Sequence, residues 1–174
     1  MRFATPIALT GPVRAPRQLL ADQSYDGHTS VHDDATAAKL GLAGAPIEGP
    51  THFSQFDPFG ALAFGPAWFE RGCISCHFQT MVVEGEEVVA SATVGGPDEP
   101  VRIAAAKADG TPVLTGTISV GPDHPASELD TRMAKLGEPG DLFVVDRVTV
   151  GLRRDSTEPT SLTMDYDNGD LYPF

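Results

Sequence analysis

Imidazoles and carboxylates gather in one stretch of the chain: Asp26, His28, His32, Asp34, Glu48 and His52. A free imidazole titrates near about pH 6.5 and a carboxylate near about 4, so two such groups one water apart in a dry pocket suit general acid and base work. His32 is the natural acid/base group, and Asp26 and Glu48 are the carboxylates that could partner it. Glu48 stands directly before Gly49-Pro50, which reads as a helix start. A backbone N–H there, such as that of Gly49, has no partner within the helix and is open to a carbonyl oxygen; such a donor is worth about 3–4 kcal/mol on a developing oxyanion. His28 and His52 flank the same region as binding groups. Each residue also has a plainer role. His32 with Asp34 makes a capping network, Asp26-Gly27 is a turn dipeptide, Glu48 caps a helix, and single histidines such as His28 and His52 are usually solvated.

Cys73-Ile74-Ser75-Cys76-His77 matches the C-x-x-C-H of covalent haem attachment. The surrounding alternation reads as a strand, however, in which positions three apart point to opposite faces. The same geometry keeps these side chains from converging on a tetrahedral zinc ion, and no second cysteine pair exists. No metal and no bound organic cofactor is expected.

The elements that must position these groups are marked by glycine and proline. Pro6, Pro12 and Pro16 exclude a helix near the start and fit an edge strand over Ile7 to Val13. Asp33-Asp34 precedes a short helix, Ala35 to Leu40, with Gly41 as its stop. From Gly49 a second helix places Phe53, Phe56, Gly60 and Phe64 on one face; Gly60, Ala61 and Ala63 would let a sheet come close on several sides, and Pro58 should bend or shorten it. From Gly72 the period changes to two. Strands are predicted over Cys73–Thr80, Val88–Val94, Val101–Lys107 and Val113–Val120, with turns at Glu84-Gly85-Glu86 and Asp109-Gly110, in meander order. Ser127 to Leu136 reads as a capped surface helix closed by Gly137, and Leu142–Val150 and Ser161–Tyr166 as further strands.

Composition narrows the partners. The 174 residues carry 24 acidic against 12 basic side chains, a formal charge of −12, which repels nucleic acid and anionic membrane surfaces because the basic groups do not cluster. The sequence shows neither a transmembrane span nor a secretory leader, which predicts a cytoplasmic location.

A buried helix after a short capped one, followed by strands that wrap it, resembles the hotdog fold, an α+β architecture, and three passages resemble its MaoC-like hydratase branch. The branch's loop pattern Asp-x-Asn-Pro-x-His-x-Asp-x-x-Ala finds His32, Asp34 and Ala37 in its last three specified places. Its Gly-Phe-x-x-x-Ile-x-His-Gly is similar to Gly41 through Gly49, and its strand, turn and returning strand to Phe78 through Val94. Gly27 and Thr29 stand where the pattern has its Asp and Asn, Asp26 is one residue off, and Glu48 replaces the His before the helix glycine.

The resemblance implies a hotdog domain over residues 1–122, with 123–174 either an extension or the start of a second unit. It implies syn addition of water to a 2-enoyl thioester of coenzyme A or acyl carrier protein, or the reverse dehydration, by His32 with Asp26 or Glu48, in a homodimer or double-hotdog assembly. Arg14, Arg17 and Arg71 would have to gather to hold a coenzyme A phosphate against the acidic background. Two other readings stand beside it: a non-catalytic hotdog that binds an acyl chain or pairs with an active partner, and a thioesterase using Glu48 as its single carboxylate.

Overall fold

The stretches of period two form strands, and the glycines and prolines fall at their ends. The computed structural model describes residues 4–18, 30–138, 140 and 151–153. The five strands are β1 (Ile7–Arg14), β2 (Gly72–Phe78), β3 (Val88–Val94), β4 (Val101–Lys107) and β5 (Pro112–Val120), in one antiparallel sheet of order β1-β3-β4-β5-β2. Edge placement of β1 agrees with its prolines, and the register against β3 shifts between Thr10 and Val13, where Pro12 has no N–H to give. At Asp109-Gly110 the β4–β5 hairpin turns with Gly110 at φ +87°, a conformation that favours glycine.

The expected meander holds for β3, β4 and β5 and fails for β2, which pairs with β5 and occupies the far edge. The link from Gln79 to Glu87 is too long for a tight hairpin, so β2 and β3 are free to separate by the width of β4 and β5. On its way it hydrogen-bonds the chain that enters the helical layer, Ile47 N–H donating to the Val82 carbonyl at 2.8 Å, and buries Val82. The Glu84-Gly85-Glu86 turn forms within it, Glu86 N–H donating to the Val83 carbonyl. Lys107 Nζ lies 2.7 Å from both Glu86 carboxylate oxygens and pins the turn to β4.

Helices α1 (Asp34–Lys39), α2 (Gly49–Ser54), α3 (Asp57–Phe64), α4 (Ala67–Arg71) and α5 (Glu128–Met133) complete the described elements. Asp33 caps α1 by accepting the Thr36 N–H at 2.8 Å; Gly41, at φ +75°, ends it, with Gly41 and Leu42 N–H groups donating to the carbonyls of Ala38 and Ala37. The one helix expected after Gly49 is divided. Pro58 cannot donate to the Ser54 carbonyl, so α2 stops and α3 restarts with proline in its first turn. Nor is α3 enclosed on several sides: Phe59 and Gly60 are buried, but Leu62 is 70% exposed. Gly60 faces the Trp68 ring of α4 rather than the sheet, and a Cβ there would collide with it.

Alternation on the sheet decides the core. Ala90, Ala92, Val101, Ile103, Ala105, Leu114 and Ile118 face Phe56, Phe59, Trp68, Ile47 and Val82, while Ser91, Arg102 and Thr117 are not part of that cluster. α5 is capped by Ser127 as expected but stops at Met133, short of Gly137. It is fastened to β5 and β2 by Glu128 N–H to Thr117 Oγ1 at 3.0 Å and Leu129 N–H to Ser75 Oγ at 2.9 Å. The strands expected over Leu142–Val150 and Ser161–Tyr166 lie outside the described residues. Among the described residues no helix is long and apolar enough to cross a membrane.

Candidate functional site

Two loops meet where the helical layer begins. His32, half-buried in the turn before α1, donates from Nδ1 to the Pro46 carbonyl at 2.7 Å, since a carbonyl oxygen only accepts. Gln18 Nε2 donates to the same carbonyl at 2.7 Å, and Asp34 Oδ1 accepts the Ala45 N–H at 3.1 Å. The segment around His32 is thereby tied to the residues that lead into Glu48 and α2.

The α2 segment buries polar groups. Glu48 is 5% exposed, Thr51 2%, His52 3% and Gln55 4%. Thr51, His52 and Gln55 lie on one side of the helix, and Glu48 is its extended N-cap residue. The Thr51 hydroxyl lies 3.4 Å from the Glu48 carboxylate, and the Gln55 amide 3.5 Å from His52 Nδ1. Burial holds the His52 imidazole below its ordinary 6.5, and the neighbouring Glu48 carboxylate pulls the other way. Gln55 Oε1 is buried with no hydrogen-bond partner among the described residues. Sequence reading had His52 as a solvated side chain or a flanking group, and the structure corrects the first: the ring is buried beside Phe78, with centroids 6.1 Å apart.

His52 and Gly49 line a pocket of about 290 Å³ with Pro46, Ile47, Phe78 and Met81. Its walls are mainly apolar, with the imidazole as the titratable group among the described lining residues. A Cβ at Gly49 would sit in contact with the Phe78 ring, 3.4 Å away. His32 is not among the described lining residues. Asp26 and His28 lie outside the described residues, so the expected Asp26–His32 pair has no described geometry.

The remaining predictions divide. Cys73 is exposed and Cys76 half-buried against the core, as opposite sides of a strand require; burial pushes the Cys76 thiol up to about 12, where it has little thiolate to offer. No group of three or more His, Cys, Asp or Glu side chains is placed to hold a metal ion among the described residues. Arg14 ends β1 and Arg71 immediately precedes β2, so the two stand at opposite edges of the sheet and do not gather within one chain. The buried Thr51-His52-Gln55 face was missed. Its signal is in the sequence, because the 3–4 spacing that marks an apolar helix face holds equally for the polar Thr51, His52 and Gln55.

No family model matches the sequence, and no curated protein does. Among solved structures, the (R)-hydratase from A. caviae involved in PHA biosynthesis superposes with a TM-score of 0.50 at 19% identity, over 69% of this chain and 98% of that one. The fold is the hotdog fold. R-hydratase PhaJ1 from Pseudomonas aeruginosa, in its unliganded form, is also similar, with a TM-score of 0.46 and 19% identity over 82% of this chain and 93% of that one. At this identity the likeness is one of architecture.

Proposed function

We propose that the protein acts on an acyl thioester, adding water to a 2-enoyl group or removing it from a 3-hydroxyacyl group, with coenzyme A or an acyl carrier protein as the handle. The observation that carries this reading is the pocket at the start of α2, where an apolar wall of Ile47, Phe78 and Met81 meets a buried imidazole one helical turn from a buried carboxylate. An acyl chain needs the first, and proton transfer to and from carbon needs the second. The names of the solved hotdog neighbours support the same reaction class.

The site residues are drawn from His32, Asp26 and Glu48 for proton transfer and from Gly49, His28 and His52 for holding the substrate. Gly49, at the first position of α2, has no acceptor for its N–H within the helix and suits the thioester carbonyl. β1 and β2 are the two edges of the sheet among the described residues, which fits assembly as a homodimer or with a second hotdog unit. Residues 1–122 form the hotdog domain in this reading, 123–174 extend it, and the protein works in the cytoplasm.

Loss of the enoyl absorbance band on incubation with 2-enoyl coenzyme A substrates of short and long chain tests the proposal. Disappearance of the band, with the 3-hydroxyacyl product recovered, supports it. An unchanged band at every chain length, with or without release of free thiol, defeats it in favour of a thioesterase or a non-catalytic acyl-binding domain.

A further inference from the structure

The resemblance to MaoC-like proteins assigns proton transfer to His32, yet the pocket is faced by a different histidine. His32 spends Nδ1 on the Pro46 carbonyl and braces one loop against another. His52 lines the pocket itself, lies one turn after Glu48, and is 3% exposed. The Glu48 carboxylate lies close enough to the His52 imidazole to act on it electrostatically, against the effect of burial.

Burying such groups is costly in a core that has no need of them. A hydrogen-bonding side chain taken from water without full compensation loses about 1–3 kcal/mol, and a charged one more. Here Glu48, His52 and Gln55 are all buried around α2, and Gln55 Oε1 has no partner among the described residues. Apolar residues at the same positions would continue the core that Phe56 and Phe59 begin. Of these groups His52 lines the pocket, and its burial there is explained by what enters that pocket.

We infer that His52 is the acid/base residue of this pocket and that the Glu48 carboxylate stabilises its protonated form. The inference rests on the acyl-thioester reading above. In the hydration direction the neutral imidazole takes a proton from water as the water oxygen bonds to C3. The C2–C3 π pair moves toward the thioester carbonyl and gives an enolate. When the enolate collapses, C2 takes the same proton back from the imidazolium, the carbonyl reforms, and the imidazole is neutral again. Oxygen and hydrogen come from one face, a syn addition, and no group outside the substrate, water and imidazole changes its bonds.

Three features fit His52 for this work. Burial holds it neutral at physiological pH, ready to accept a proton, while the Glu48 carboxylate limits the cost of the imidazolium. The Phe78 ring, 6.1 Å away and tilted by 58°, confines its orientation. Gln55 meets Nδ1 at 3.5 Å, and an amide can present either its oxygen or its nitrogen. With the oxygen there, Nδ1 carries the proton, Nε2 keeps its lone pair as the base, and the buried Oε1 gains the partner it otherwise lacks.

The deciding experiment measures crotonyl coenzyme A hydration by the full chain and its His52→Gln and Glu48→Gln variants, with melting temperatures. His52→Gln should lower kcat at least about 100-fold, the lower end of what general acid–base catalysis contributes, with KM changed by less than about threefold. Glu48→Gln should lower kcat about tenfold, because it removes a stabilising charge and leaves the base in place. If a folded His52→Gln protein keeps a third or more of the wild-type kcat, the inference falls and His32 becomes the acid/base residue. If wild type hydrates no enoyl thioester, the functional reading fails instead. His52 is then decided by titrating wild type with butyryl coenzyme A, a saturated thioester that cannot react, and following the imidazole NMR signals. Perturbation of the His52 signal places the thioester against it, and an unmoved signal at saturation overturns the inference.

Discussion

α2 and α3 are consecutive short helices on the same side of the same sheet, and they bury opposite kinds of side chain. From Phe56 onward the inward positions are apolar: Phe56 is fully buried, Phe59 is 8% exposed, and both belong to the core cluster. In the turn and a half before it they are Glu48, Thr51, His52 and Gln55, every one at least as buried as Phe59. Helical spacing brings both sets inward, and only the first is explained by transfer of apolar surface from water. Two stretches so close in place and so unlike in chemistry divide the work of the helical layer: α3 holds the sheet, and α2 carries the buried polar groups, with Gly49 and His52 on the pocket wall.

That division can be broken most forcefully from the α3 side. Phe56→Ala should destabilise the protein by about 3–5 kcal/mol, read as a lower denaturant midpoint at unchanged m-value. A loss below about 1 kcal/mol would mean that this ring does not anchor the helix to the sheet. On the α2 side the effect should be small. Gln55→Met keeps roughly the volume and removes a buried amide whose contact with His52 Nδ1 is long, at 3.5 Å, so stability should change by less than about 1 kcal/mol in the same assay. A clear loss would show that the amide is satisfied and structural.

The smallest effect is one of pH. His52 has a folded-state value below its ordinary 6.5, so the unfolded chain takes up a proton first as the solution is acidified. Stability attached to His52 is full above pH 6.5, falls as pH drops through that value, and levels off below the folded-state value. Wild type should therefore lose more stability than His52→Gln between about pH 7.5 and 5.5. Glu86 does not blur this window: the Lys107 ammonium depresses its carboxyl below 4.5, so its contribution is lost only at more acid pH.

Strand positions were legible in the sequence because each depends on local information. Alternation over Val88–Val94 and Val101–Lys107, the Asp109-Gly110 turn and the prolines of β1 all state what the backbone can do within a few residues. The place of β2 was not legible, because pairing with β5 rather than β3 is decided by a link whose length permits either. The broken helix was half legible: Pro58 announced a disturbance, but small residues at Gly60 and Ala63 suggested enclosure when the neighbour was a single tryptophan. At the site, Glu48 and Gly49 are legible from the helix start, whereas His52 reads only as a flanking binding group or a solvated side chain, not as an acid/base residue. Seen alone, nothing marks it; seen with Thr51 and Gln55, it belongs to a helical face.

The strand order also sets a timetable for folding. As the chain leaves the ribosome, Ile7 must wait for Val94 before β1 has a partner, and Gly72 must wait for Val120. The β3–β4 and β4–β5 hairpins can form as soon as their residues exist, on a timescale of about 1–10 μs. Together they offer one side to β1 and the other to β2. β2 is made before β3 and β4 yet is secured only once β5 exists, and until then its open edge is what a chaperone would have to shield.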